Sequence, residues 1–177
     1  MITQDYQDKF IAAEVWEKAF ASFLVIERGY HVLPACDYRG QMGHAPHLAG
    51  AAANITLPDL LVARGGKCRW IEVKQKSHAD FHRNSNRFVT GLPIRQWDEY
   101  LRVQEVTGIE VTLVFIHAEE NVVVGDTLAK LTNHISHRYT RTVNDTNGTL
   151  FFKFGTLPRL IAASRLHQFM NLMEERP

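Results

Sequence analysis

The sequence predicts an α/β protein built on a mixed central β-sheet flanked by helices. Three features point to it: an amphipathic helical stripe near the N-terminus, two apolar runs meeting at Gly65-Gly66, and a second helical stripe leading into the buried run "VTLVFI". With 177 residues the chain can bury one sizeable core and is short for two. We therefore expect a single domain over residues 1–177, with a core at about 8–125 and a C-terminal extension at about 126–177 holding a β-hairpin and a helix.

Asp8 to Arg28 reads as an amphipathic helix, because Ile11, Val15, Ala19, Phe23 and Ile26 recur at steps of three and four. Trp16, Phe20 and Leu24 widen the stripe, and Gly29 ends it. "YHVLPA" follows as a short strand. Asp37 to Thr56 shows no period and is long for a structureless loop, which points to a functional or partly ordered segment. Next come the two apolar runs of "LPDLLVARGGKCRWIEVKQK" and the polar stretch "SHADFHRNSNRFVTG". Pro93 to Thr107 is helical again: Pro93 suits a first turn, Ile94, Trp97 and Leu101 form the stripe, and Gly108 supplies the stop. "VTLVFI" and "NVVVG" read as strands, "YTRTV" and "TLFFKF" as a hairpin around "NDTNG", and Pro158 to Glu174 as a last helix.

A hydrophobic content of 45% beside 22% charged residues excludes global disorder. The acidic N-terminal stretch lacks the features of a signal peptide, and no segment reaches the roughly 18 to 20 apolar residues of a membrane span, so a cytoplasmic protein without membrane contact is expected. In a reducing compartment Cys36 and Cys68 read as small buried residues. The formal charge of +1 hides an uneven distribution: Arg64 to Arg102 holds nine bases against four acids. Such a segment can hold a polyanion by its phosphates. Charge alone fits a solvated basic surface equally well.

The apolar runs contain the chemistry. If Gly65-Gly66 is a two-residue turn, Arg64 faces Lys67 and the pairing outward places Asp59 opposite Glu72. Alternation then projects Asp59, Glu72 and Lys74 from one face and Leu60, Val62, Ile71 and Val73 from the other. Directly opposed carboxylates destabilise a strand pair, so something must compensate. A divalent cation would, and oxygen ligands of this kind suit Mg²⁺, which takes one or two protein carboxylates and fills its other positions with water and phosphate oxygens. Lys74 beside it could orient or help deprotonate a water and stabilise charge developing on a phosphate.

Pro58-Asp59, twelve residues, then Glu72-Val73-Lys74 resembles the PD-(D/E)XK motif of the restriction-endonuclease-like and Holliday-junction-resolvase-like nucleases. The resemblance spans Asp8 to about Ile116, and the order of helix, β-meander, helix and strand is similar to that family's. It implies a restriction-endonuclease-like fold and a Mg²⁺- or Mn²⁺-dependent nuclease acting on DNA. Asp59 and Glu72 would then be metal ligands, the Val73 carbonyl a third, and Lys74 the catalytic amine. The family often adds a carboxylate from the first helix, for which Glu17 fits the apolar spacing better than Glu14 does. Gln96 and Tyr100 are similar to the Gln-x-x-x-Tyr element of the RecB-like branch, and their spacing puts them on one side of a helix, facing the site or a substrate strand. Lys76, His82, Arg83 and Arg87, which follow the motif, are expected to hold nucleic acid.

Other chemistries fit poorly. His44, His47, Cys36 and Cys68 lack the spacing of zinc ligands, and there is no Gly-x-Ser-x-Gly elbow, Walker A loop or dinucleotide-binding glycine fingerprint. Two rivals remain: a nucleic-acid-binding or assembly module with a vestigial site, and an unrelated interaction protein. A homodimer would suit a single-domain nuclease that cuts two strands. The C-terminal helix reads as core packing or a dimer contact.

Overall fold

The structure, a computed structural model, describes residues 4–35, 47–48, 55–139 and 148–170. Helix α1 (Gln4–Ile26) begins earlier than its stripe predicts. Trp16, Ala19, Phe20, Phe23 and Leu24 are its buried side. Gly29, at φ 65°, reverses the chain so that Tyr30 N–H reaches the Leu24 carbonyl at 3.0 Å.

A meander follows. Strand β1 (His31–Pro34) pairs antiparallel with β4 (Leu60–Arg64), after a short ladder of β2 (His47–Leu48) and β3 (Ile55–Thr56). Strand β4 turns into β5 (Lys67–Lys76) through Gly65 and Gly66, at φ 58° and 75°. Positive φ at both central residues is what a tight turn matching the strand twist requires, and glycine adopts it without steric cost. The register is the expected one, from Arg64↔Lys67 to Leu60↔Ile71.

Between β5 and the next strand of the same sheet lie β6 (Asp80–His82), β7 (Arg87–Pro93) and α2 (Ile94–Thr107), so the polar stretch read from the sequence is a hairpin. Helix α2 starts beside Pro93 and ends at Gly108, φ 66°. Strand β8 (Val111–His117) then runs parallel to β5, with Glu72↔Leu113 and Lys74↔Phe115, and β9 (Val122–Thr127) returns antiparallel. A short α3 (Leu128–Leu131) precedes β10 (Ile135–Tyr139) and β11 (Thr149–Lys153). These pair as a hairpin whose first strand lies earlier than "YTRTV", of which only Tyr139 is among the described residues. The expected last helix is corrected at its start: Arg159–Ile161 forms strand β12, and α4 covers Ala163–Met170. The open edge of β9 takes up that segment, and Gly125 N–H bonds to the Pro158 carbonyl at 3.1 Å.

The result is a mixed six-stranded sheet, β1-β4-β5-β8-β9-β12, beside a four-stranded antiparallel sheet, β10-β11-β7-β6. Leu60, Val62, Ile71, Val73, Val114 and Ile116 pack beneath α1 and α4. Trp70, Leu113 and Phe115 pack on the other face against Trp97 and Val103 of α2 and Phe152 of the second sheet. Helix α4 buries Ala163, Leu166 and Phe169 in the first of these layers, so it packs the core. Cys68 is exposed, against expectation, because it sits beside the turn at the free end of the hairpin; Cys36 and His44 lie outside the described residues. No helix among the described residues is long and apolar enough to cross a membrane.

Candidate active site

Strand alternation brings the predicted charges together. Trp70 faces α2, so Glu72, Lys74 and Lys76 face the same side. Asp59 sits just before β4, with its backbone carbonyl accepting from Ala35 N–H at 2.7 Å. Its N–H donates to Glu72 Oε2 at 3.3 Å, and its Oδ2 accepts from Val73 N–H at 2.8 Å. The two acids are therefore neighbours, and Glu72 is only 4% exposed. The Lys74 ammonium pairs with the other oxygen of Glu72. A strand residue directs its N–H and C=O to the same side, so the Val73 carbonyl also looks toward Asp59, beyond the last rung of the β4–β5 ladder.

Glu17 and Glu14 separate clearly. Glu14 pairs with Lys18 along α1, whereas Glu17 lies within the field of Glu72, Asp59 and Lys74. Burial and then the Glu72 charge push the Glu17 carboxyl up to about 7. Asp59 is held well above the usual carboxylate range, first by burial and then by Glu72 and Glu17. Burial alone would lower the Lys74 ammonium, but the Glu72 and Asp59 charges outweigh it and hold Lys74 above its ordinary value.

With its three acids ionised, the group carries a formal −2 against the single Lys74 cation. A divalent cation would cancel that excess. Among the described residues no three His, Cys, Asp or Glu side chains are grouped closely enough to hold a metal ion by themselves.

Of the two expected positions for Tyr100, the structure shows contact with the site: it is 3% exposed, and its hydroxyl donates to Glu72. Burial, followed by the Glu72 charge, raises the phenol well above its usual range. Gln96, four residues earlier, is half-buried.

The chain is similar to two solved nucleases. One is Hjc, a Holliday junction resolvase from Archaeoglobus fulgidus: 11% identity, TM-score 0.49, 82% of this chain and 97% of that one covered. The other is D212, a nuclease from a fusselovirus: 8% identity, TM-score 0.46, 98% and 96% covered. No family model and no curated protein sequence matches the chain.

The basic candidates divide by position. Arg83 and Arg87 are exposed on the β6–β7 hairpin. Lys76 is half-buried, and burial followed by the Lys74 charge lowers its ammonium. His82 is taken up in packing: its ring stacks on His137 at 3.8 Å, and its Nδ1 lies 2.8 Å from Ser85 Oγ. β6 and β10 are the two outer strands of their sheet, so this stack bridges across its face from one edge strand to the other. His137 in turn stacks on Phe151 at 4.6 Å. Sequence reasoning missed the stacking of His82 on His137, for which no local pattern gives a signal, whereas the four-residue spacing of Gln96 and Tyr100 did signal a contact between Tyr100 and the site.

Proposed function

We propose that this protein is a metal-dependent nuclease of the PD-(D/E)XK type that hydrolyses phosphodiester bonds of DNA with Mg²⁺ or Mn²⁺. The observation that carries it is the crosswise bonding of Asp59 and Glu72 at the end of the β4–β5 ladder, with Lys74 on Glu72. Two like charges are costly to bury side by side, and a site for a cation gives them a use.

Asp59 and Glu72 would hold the cation, with the Val73 carbonyl as a third oxygen and Glu17 adding negative charge beside them. When bound, such an ion supplies charge neutralisation at the scissile phosphate and acidifies water. Lys74, kept protonated by its acidic neighbours, donates a hydrogen bond to a phosphate oxygen as negative charge builds there. Tyr100 fixes the rotamer of Glu72 so that the carboxylate is set before substrate arrives. Lys76, Arg83, Arg87 and Gln96 contact the DNA backbone, and a second copy of the chain would serve the opposite strand.

The test is cleavage of linear, circular, single-stranded and branched DNA with and without Mg²⁺, repeated with Asp59→Ala and Lys74→Ala. Metal-dependent cleavage lost in both variants supports the proposal. Binding without cleavage under every condition would assign the protein to the vestigial-site class instead, and neither binding nor cleavage to an unrelated one.

A further inference from the structure

Phe81 and Phe88 form a cross-strand pair on the β6–β7 hairpin, rings 5.2 Å apart and edge to face. They are 51% and 55% exposed, an unusual position for two neighbouring phenylalanines. Their orientation follows from strand alternation. Phe88, Thr90 and Leu92 share one face of β7; Leu92 is buried against α2 and the main sheet, and Thr90 Oγ1 lies 3.1 Å from His117 Nε2. That face is turned toward the main sheet. His117 is the register partner of Lys76, and both are the last residues of their strands. Phe88, two residues past Thr90, lies about 7 Å further out. The aromatic pair therefore overhangs the end of β5 on the side that bears Glu72, Lys74 and Lys76.

Lys76, Arg83 and Arg87 lie on the hairpin and the adjoining end of β5, with the acids Asp80, Glu119 and Glu120 gathered at the hairpin's base and the two arginines toward its tip. A polyanion held by these cations would bring its bases against the rings, which present π-faces and no hydrogen-bonding groups. We propose that Phe81 and Phe88 are a stacking platform for unpaired nucleobases, and that the substrate of the adjacent site is nucleic acid with a single-stranded or splayed segment. Duplex bases are already stacked on one another and have no free face to offer, so the platform discriminates by strand state and tolerates any sequence. The inference rests on the nuclease reading of the Asp59, Glu72 and Lys74 site and adds the class of its substrate.

The test separates the two. Affinity is measured without divalent metal, so no cleavage intervenes, by anisotropy of a labelled oligothymidine about 20 nucleotides long and of a duplex of equal length. The proteins are wild type, Phe81→Ala/Phe88→Ala, and Phe81→Leu/Phe88→Leu, which keeps apolar bulk but removes the rings. Both doublets are expected to weaken single-strand binding about tenfold or more and to leave duplex binding unchanged. A 2-aminopurine in the strand should be quenched by stacking on wild type only. Unchanged single-strand affinity in both doublets overturns the inference while leaving the nuclease proposal intact. So does a loss of self-association with nucleic-acid affinity preserved, which would make the pair a contact between copies of this chain. Wild type that neither binds nor cleaves any nucleic acid overturns both.

Discussion

Asp59 and Glu72 grip each other's strand: the Asp59 N–H binds the Glu72 carboxylate at 3.3 Å, and the Asp59 carboxylate binds the Val73 N–H at 2.8 Å. Neither acid can move without freeing a backbone N–H of the other segment. Asp59→Asn is expected to leave the fold intact, because the amide oxygen can still accept from Val73. It should lower cleavage by about a thousandfold and abolish the rise in melting temperature that Mg²⁺ gives wild type. Retention of both the metal response and cleavage would remove Asp59 from the site.

Lys74 occupies an oxygen of Glu72 that a cation would otherwise use. Lys74→Met should therefore reduce turnover by about a hundredfold or more without weakening Mg²⁺ binding, which calorimetry would measure as unchanged or tighter. Metal binding lost together with activity would instead make Lys74 part of the scaffold.

Tyr100→Phe removes one hydroxyl from a buried ring. The ring stays packed, so stability should fall by only about 1–2 kcal/mol. Mg²⁺ affinity is expected to drop about tenfold as Glu72 loses its anchor. Calorimetry of the metal-free and metal-bound forms reads both effects.

The Glu17 carboxyl, raised to about 7 by burial and by Glu72, carries a defined pH signature. A carboxyl whose folded value exceeds its unfolded one contributes stability that is complete below the unfolded value of 4.5 and is lost as pH rises through about 7. Metal-free protein should thus become less stable across that window. Glu17→Gln stays neutral and removes the loss, so its melting temperature should exceed that of wild type at pH 8 by about 3 °C or more, and match it near pH 4.5. Equal differences at both pH values would show that Glu17 does not titrate in this way.

The main sheet and its acids were legible because local rules determine them. Gly65-Gly66 sets the parity of the hairpin, and parity alone puts Asp59, Glu72 and Lys74 on one side while Leu60, Val62, Ile71 and Val73 go to the other. The second sheet was not legible. Strand β6 has three residues, its hairpin tip is rich in polar groups, and β7 finds its partner β11 more than fifty residues later. No local period reports a pairing of that range. Arg159–Ile161 misled for a related reason: its pattern suits a helix, but the open edge of β9 recruits it as a strand. Tyr100 was found by spacing, but not its partner within the site, since an amphipathic ring gives no sign of which way its hydroxyl will turn.

The β6–β7 hairpin is spliced into the connection between β5, which bears Glu72 and Lys74, and α2, which bears Tyr100. Its tip can change length or composition while both ends stay anchored, because neither the strand parity at Gly65-Gly66 nor the seat of α2 depends on residues 83–86. Lineages could thus diversify this outer hairpin without retuning the cluster of Asp59, Glu72 and Lys74.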